Sequence, residues 1–172
     1  LLVEEDLTVT ANKQIDLADY NFDFNGFSVG AKVLNPSSGP FEIVPDVTQF
    51  IWKSPNNGDW KDDTNWQTIS PDFARAEAIL DDVITMDRTI TLTGDRTIGK
   101  LTIQETSNNY TVNSVMNQKL IMDNNGNPAV IEVTNSSSPE ISSGIKLGDN
   151  LKFLQNSSGT LTVSGVIEDG TT

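Results

Sequence analysis

From Ile90 to Ile167 the chain keeps one rhythm. Short runs in which apolar residues alternate with Thr, Ser or another polar side chain begin with "ITLTG" at Ile90, "KLTIQ" at Lys100, "NYTVNS" at Asn109, "KLIMDN" at Lys119, "AVIEVTN" at Ala129, "EISSGIKLG" at Glu140, "LKFLQN" at Leu151 and "TLTVSGVI" at Thr160. They recur about every ten residues, divided by "GD", "SNN", "NNGNP", "NSSSP", "GDN" and "NSSG". Alternation with period two marks a strand with one buried face. Gly, Asn and Asp tolerate the positive φ of tight corners. Two or three such strands make a coil of roughly 20 to 30 residues, the period of stacked repeats. We expect an all-β fold, with parallel β-solenoid (β-helix) coils as the first reading, although periodicity alone does not decide the architecture. Ile90, Leu92, Leu101, Ile103, Tyr110, Val112, Leu120, Met122, Ile131, Val133, Leu161 and Val163 should point inward. A β-sandwich also has short strands at this spacing and is the alternative; antiparallel hairpin pairing would mark it.

The N-terminal third carries related signals. "LTVTANKQI" at Leu7 matches "ITLTGDRTI" at Ile90 position for position in residue type, and "QIDLADYNFDFNGFSVGAKV" alternates Ile15, Leu17, Tyr20, Phe22 and Phe24 with polar residues before an Asn25-Gly26 turn. "NPSSGPFEIVPD" then packs three of the seven prolines into Asn35 to Asp46, a linker signal. The expected organisation is a β segment over 1–34, a Pro-rich linker over 35–48, and a Trp-capped solenoid over 49–172. The start at Leu1 and the end just after an apolar strand suggest a piece of a longer chain.

A chain of 172 residues can bury a substantial core, about 70% of its unfolded surface. Its formal net charge of −13, with no basic stripe, argues against nucleic acid and anionic lipid as partners. No run reaches the roughly 20 apolar residues of a membrane span, and "LLVEEDL" lacks the features of a secretory leader. The acidic, Asn- and Thr-rich surface fits an extracellular or virion-exposed setting.

The most specific pattern joins Trp52, Gly58, Trp60, Asn65-Trp66 and Pro71 to a short apolar strand at Ala78 to Leu80, a Thr-rich strand at Thr89 to Thr93, and "IGKLTI" from Ile98 to Ile103. It resembles the opening unit of bacterial autotransporter passenger repeats (autotransporter-associated β-strand repeats) and related extracellular β-solenoids, over about residues 50–170. "TLTGDRTI" and the N-terminal segment look, more loosely, like repeats of bacteriophage tail fibres and spikes. Both resemblances imply attachment or scaffolding. One departure is "DFARAEAIL" after Pro71, where a small, polar stretch is usual and where a single helical turn at Phe73 to Ala76 is tolerated.

All three tryptophans fall within "IWKSPNNGDWKDDTNW". In a stacked-coil fold the first coil exposes apolar faces and strand edges, and Trp52, Trp60 and Trp66 are expected to cover them as a cap. The alternative is a carbohydrate-binding module. There Trp52, Trp60 and Trp66 would stack on a sugar while Asp59, Asn65 and neighbouring Asp62 and Asp63 bond its hydroxyls. Asp59, Asp62 and Asp63 also have the oxygen density for Ca²⁺, without the EF-hand order. The stretch "DNNGN" at Asp123 to Asn127 reads as a turn.

With no His and no Cys, the chain lacks an imidazole base and a thiolate nucleophile. Asp81 with Asp82, or Glu42 with Asp46, are neighbouring acids rather than an assembled pair, and consecutive strand residues face opposite ways. The expectation is thus a non-enzymatic structural or adhesive segment of a surface fibre, such as an adhesin, tail fibre or spike. It needs no cofactor. It assembles with other copies of itself, first as a homotrimer, or with further repeats of the same chain, and could meet cell-surface glycan. A fragment of a polysaccharide-degrading spike is the third reading.

Overall fold

The computed structural model describes the backbone of residues 14–24, 27–34 and 42–45 and the whole of 49–170. The chain divides into two compact units, 1–48 and 49–172. In the first, β1 (Gln14–Phe24), β2 (Phe27–Leu34) and β3 (Glu42–Pro45) form an antiparallel meander in that order. A register shift between Leu17 and Phe22 marks an irregularity in β1, and β3 lies inside the Pro-rich stretch expected as a linker.

The second unit is built of short strands alone, apart from a 3-10 turn at Asp63–Asn65. In chain order they are β4 (Gln49–Trp52), β5 (Gly58–Asp59), β6 (Glu77–Leu80), β7 (Arg88–Leu92), β8 (Arg96–Ile98), β9 (Lys100–Ile103) and β10 (Tyr110–Ser114). There follow β11 (Lys119–Met122), β12 (Ala129–Val133), β13 (Glu140–Ile141), β14 (Gly144–Leu147), β15 (Leu151–Gln155), β16 (Thr162–Val163) and β17 (Ile167–Asp169). They make three open parallel sheets, ordered β4-β6-β9-β12-β15, β5-β7-β10-β13-β16 and β8-β11-β14-β17. From β6 onward the chain visits the three sheets in cyclic order, missing none. Parallel neighbours are not hairpin partners, so the antiparallel sandwich is not the arrangement found.

The register explains the alternation. Leu80 pairs with Ile103, Ile103 with Val133 and Val133 with Gln155, steps of 23, 30 and 22 residues along the chain. Parallel pairing in register puts like side chains above one another. Phe50, Ala78, Leu101 and Ile131 therefore form one buried column, and Trp52, Leu80, Ile103 and Val133 a second. Ile90, Val112 and Ile141 make a third in the next sheet. Ten of the twelve residues expected to point inward, Ile90 through Val133, are fully buried. Leu161 and Val163 are only half-buried, because β16 is an edge strand and among the described residues no further strand packs on it.

Outside the core, polar columns tie successive strands together. Lys100 Nζ lies 3.0 Å from Glu77 and 2.9 Å from Glu132, joining three neighbouring strands of the first sheet. At the corner before the second sheet, the Asp87 carboxylate accepts the Asn109 N–H at 2.8 Å, the Asn109 amide oxygen accepts the Ser138 N–H at 2.7 Å, and the Ser138 hydroxyl accepts the Thr160 N–H at 3.2 Å. Each side chain serves the backbone of the next layer. The helical turn tolerated at Phe73 to Ala76 does not form: Ala76 N–H donates to Phe73 O in a tight turn, with Arg75 at φ 71°. A left-handed residue cannot continue a right-handed helix.

Candidate functional site

The two ends of the three-sheet stack differ, and the difference starts from the tryptophan stretch. After β4 the chain loops out and returns so that Trp66 forms an antiparallel bridge with Trp52. Lys53 N–H donates to Asn65 O and Gln67 N–H to Ile51 O, both at 2.8 Å, which fills the free edge of β4. The rings follow the backbone. Trp66 meets Trp52 edge-on with centroids 5.2 Å apart, and Trp60 at 5.0 Å. All three indoles are 0% exposed, and each N–H has an acceptor: Trp52 on Ser54 O, Trp60 on Pro71 O, Trp66 on Trp60 O. A buried indole needs such an acceptor.

Small polar residues make this packing possible. A Cβ at Gly58 would come within 2.5 Å of the Asn65 amide nitrogen and 2.9 Å of the Trp52 ring, so no larger residue fits. Asn65 donates its amide to Asp59 O, at the other free edge, that of β5. Asp72 closes the third: its carboxylate accepts the Thr97 N–H of β8 at 2.9 Å and pairs with the Arg96 guanidinium. Sequence reading found the tryptophans but not Asp72, whose signal lay only in its place between Pro71 and a strand.

The acids proposed as ligands are taken up separately. Asp59 accepts from Lys61 N–H and Thr93 hydroxyl, Asp62 from the backbone and hydroxyl of Thr64, and Asp63 from Ser70 N–H. The side-chain and backbone bonds from Thr64 hold the Asp62 carboxyl below its usual range. Among the described residues no three acids gather into a metal-holding group. With their faces buried, Trp52, Trp60 and Trp66 offer no platform for a sugar ring, and Asp59 and Asn65 serve the loop itself. Asp81 accepts from Gln104 and from Asp82 N–H, while Asp82 accepts from Thr106. Asp46 lies outside the described residues, so its pairing with Glu42 does too.

At the opposite end stand β15, β16 and β17, each an edge strand paired on one side. Phe153 (45%), Leu154 (40%) and Ile167 (45%) are exposed, as is Val166 beside them in sequence. These belong to types that lie buried in earlier layers: Phe153 continues the Phe50, Ala78, Leu101, Ile131 column. Among the described residues no loop covers these strands as the tryptophan loop covers β4.

No known family model, curated protein or solved structure matches this chain. Among the described residues no helix is long and apolar enough to cross a membrane.

Proposed function

We propose that residues 49–172 are a β-solenoid segment of an extracellular or virion-surface fibre, a structural and adhesive element with no catalytic role, whose three parallel sheets are the faces of successive coils. The observation that carries this reading is the asymmetry of the ends. One end has its strand edges covered by the tryptophan loop and Asp72, while at the other, among the described residues, three edges and the Phe153 column stand open. Open parallel edges recruit strands, and coils stack only where the next layer supplies them.

The partner is then another copy of the chain or further repeats of the same polypeptide, with a homotrimer as the first closed assembly to test. A formal charge of −13 repels copies, so contacts must be apolar or strand-mediated. Sedimentation across a dilution series tests this. The reading expects association that weakens in Phe153→Asp and is not weakened by high salt, which screens the repulsion between copies. A chain that stays monomeric at every concentration contradicts it.

A further inference from the structure

We propose that Asn125 is a site of spontaneous covalent modification, deamidation through a cyclic imide, and that Asp149 restrains it. The corner Asp123 to Asn127, between β11 and β12, holds an Asn-Gly pair at its tip. Asn125 and Gly126 are both exposed, with φ of 53° and 82°, and Asn124 and Asn127 bridge beneath them. Two successive positive φ values are the geometry that favours Asn-Gly in a two-residue turn. A Cβ added at Gly126 would meet nothing within 4 Å, so the outer side of its Cα is open to solvent.

In the reaction the Gly126 backbone nitrogen attacks the Asn125 side-chain carbonyl carbon. A C–N bond forms, the nitrogen's proton is lost, and the side-chain nitrogen departs as ammonia, leaving a five-membered imide. Water then opens either imide C–N bond, giving aspartate or isoaspartate. No oxidant or other co-reactant is needed.

The attacking nitrogen is not free. Its N–H points at the Asp149 carboxylate, 3.1 Å from each oxygen, and the same carboxylate accepts Asn124 N–H at 2.6 Å. Asp123 accepts the Asn125 N–H at 2.8 Å. These bonds fix the turn and place negative charge where the nitrogen must give up its proton, so both oppose ring closure. The other described Asn-Gly pair differs at its glycine: the Asn57 amide oxygen accepts Thr89 N–H, and Gly58 sits in β5 packed against Asn65 and Trp52, whereas the exposed Gly126 is not packed. The Asn25-Gly26 pair lies outside the described residues. Once Asn125 is converted, a further carboxylate joins a corner that already holds Asp123 and Asp149, and an isoaspartate adds a methylene to the turn. The corner joining β11 to β12 thus carries a one-way chemical switch.

The test is peptide mapping by mass spectrometry, with isoaspartate resolved, after incubation in mildly alkaline buffer. Asn125 should convert before Asn57 in the folded chain, and more slowly than in the same chain unfolded in urea. Asp149→Ala should raise the folded-state rate several-fold, and Asp149→Asn, which keeps an acceptor oxygen, should fall between. Conversion of Asn57 first would overturn the proposal. So would equal rates at Asn125 in folded and unfolded wild-type chain, a comparison that needs no variant to fold.

Discussion

Trp52 and Trp66 meet twice, once through their backbones as an antiparallel bridge and once through their rings, set at 87° with centroids 5.2 Å apart. The ring contact holds the bridge in place, and the bridge occupies the edge that β4 would otherwise present to solvent. Truncating Trp66 or Trp60 to Ala removes a buried aromatic and should cost about 3 to 5 kcal/mol, read as a fall in the urea midpoint. Intrinsic fluorescence of the wild type should be blue-shifted and poorly quenched by iodide. Unchanged stability in both variants would remove the loop's structural role.

The buried columns make a graded prediction. Asp in place of Leu101 or Ile131 puts an unpaired charge into the interior and should cost several kcal/mol. The same change at Leu161 or Val163, half-buried at the open end, should cost markedly less. Equal losses at the four positions would contradict the assignment of the ends.

Gly58 should tolerate no side chain. Gly58→Ala pushes a methyl into the Asn65 amide and the Trp52 ring, and overpacking of this kind costs about 1 to 3 kcal/mol. Gly94→Ala, where the nearest atom is the flexible end of Arg96 at 3.4 Å, should be mild by comparison. Thermal unfolding of the two variants side by side checks the pair.

The ion column gives a pH dependence with a definite sign. Burial pushes the Glu77 carboxyl up, but hydrogen bonds from Gln49, Thr102 and Lys100 and the Lys100 charge outweigh it, and the group sits below its ordinary value. Its contribution is therefore complete above the unfolded carboxyl's value and lost as pH falls through the lower folded one. Burial depresses Lys100, yet its bonds to Glu132 and Glu77 raise it overall, so its share is present below the ordinary lysine range and lost as pH rises through the folded value. Solvent screening keeps the effect near 1 kcal/mol or less. The stability difference between wild type and Glu77→Gln should shrink in acid; a difference independent of pH would contradict the linkage.

The sequence carried the parallel core well, because a period of two within strands and in-register stacking of like residues are the same fact seen locally and globally. Leu101 and Ile131 were legible for that reason. The corner column of Asp87, Asn109, Ser138 and Thr160 was not, since three residue types do one job and the layers between them differ in length. Asp72 was missed because its task, capping the edge of β8, depends on where a loop returns in space. The helical composition of "DFARAEAIL" misled at Phe73 to Ala76, where tertiary packing sets Arg75 left-handed. At the tryptophan loop the residue types favoured a cap and left a sugar platform as the alternative, and the burial of the rings is what the residue types alone did not carry.

Hydrogen exchange followed at several protein concentrations tests the central claim, one covered end and one recruiting end, most directly. Backbone amides of Lys53 and Thr97, which donate to Asn65 and Asp72 of the covering loop, and of Gln67, which donates from that loop to Ile51 O of β4, should be protected even in the most dilute sample. Those amides of β15, β16 and β17 that face away from β12, β13 and β14 should exchange quickly when dilute and gain protection as concentration rises and copies pair on those edges. Protection at β15 to β17 that does not change with concentration, together with rapid exchange at Lys53, Gln67 and Thr97, would contradict it.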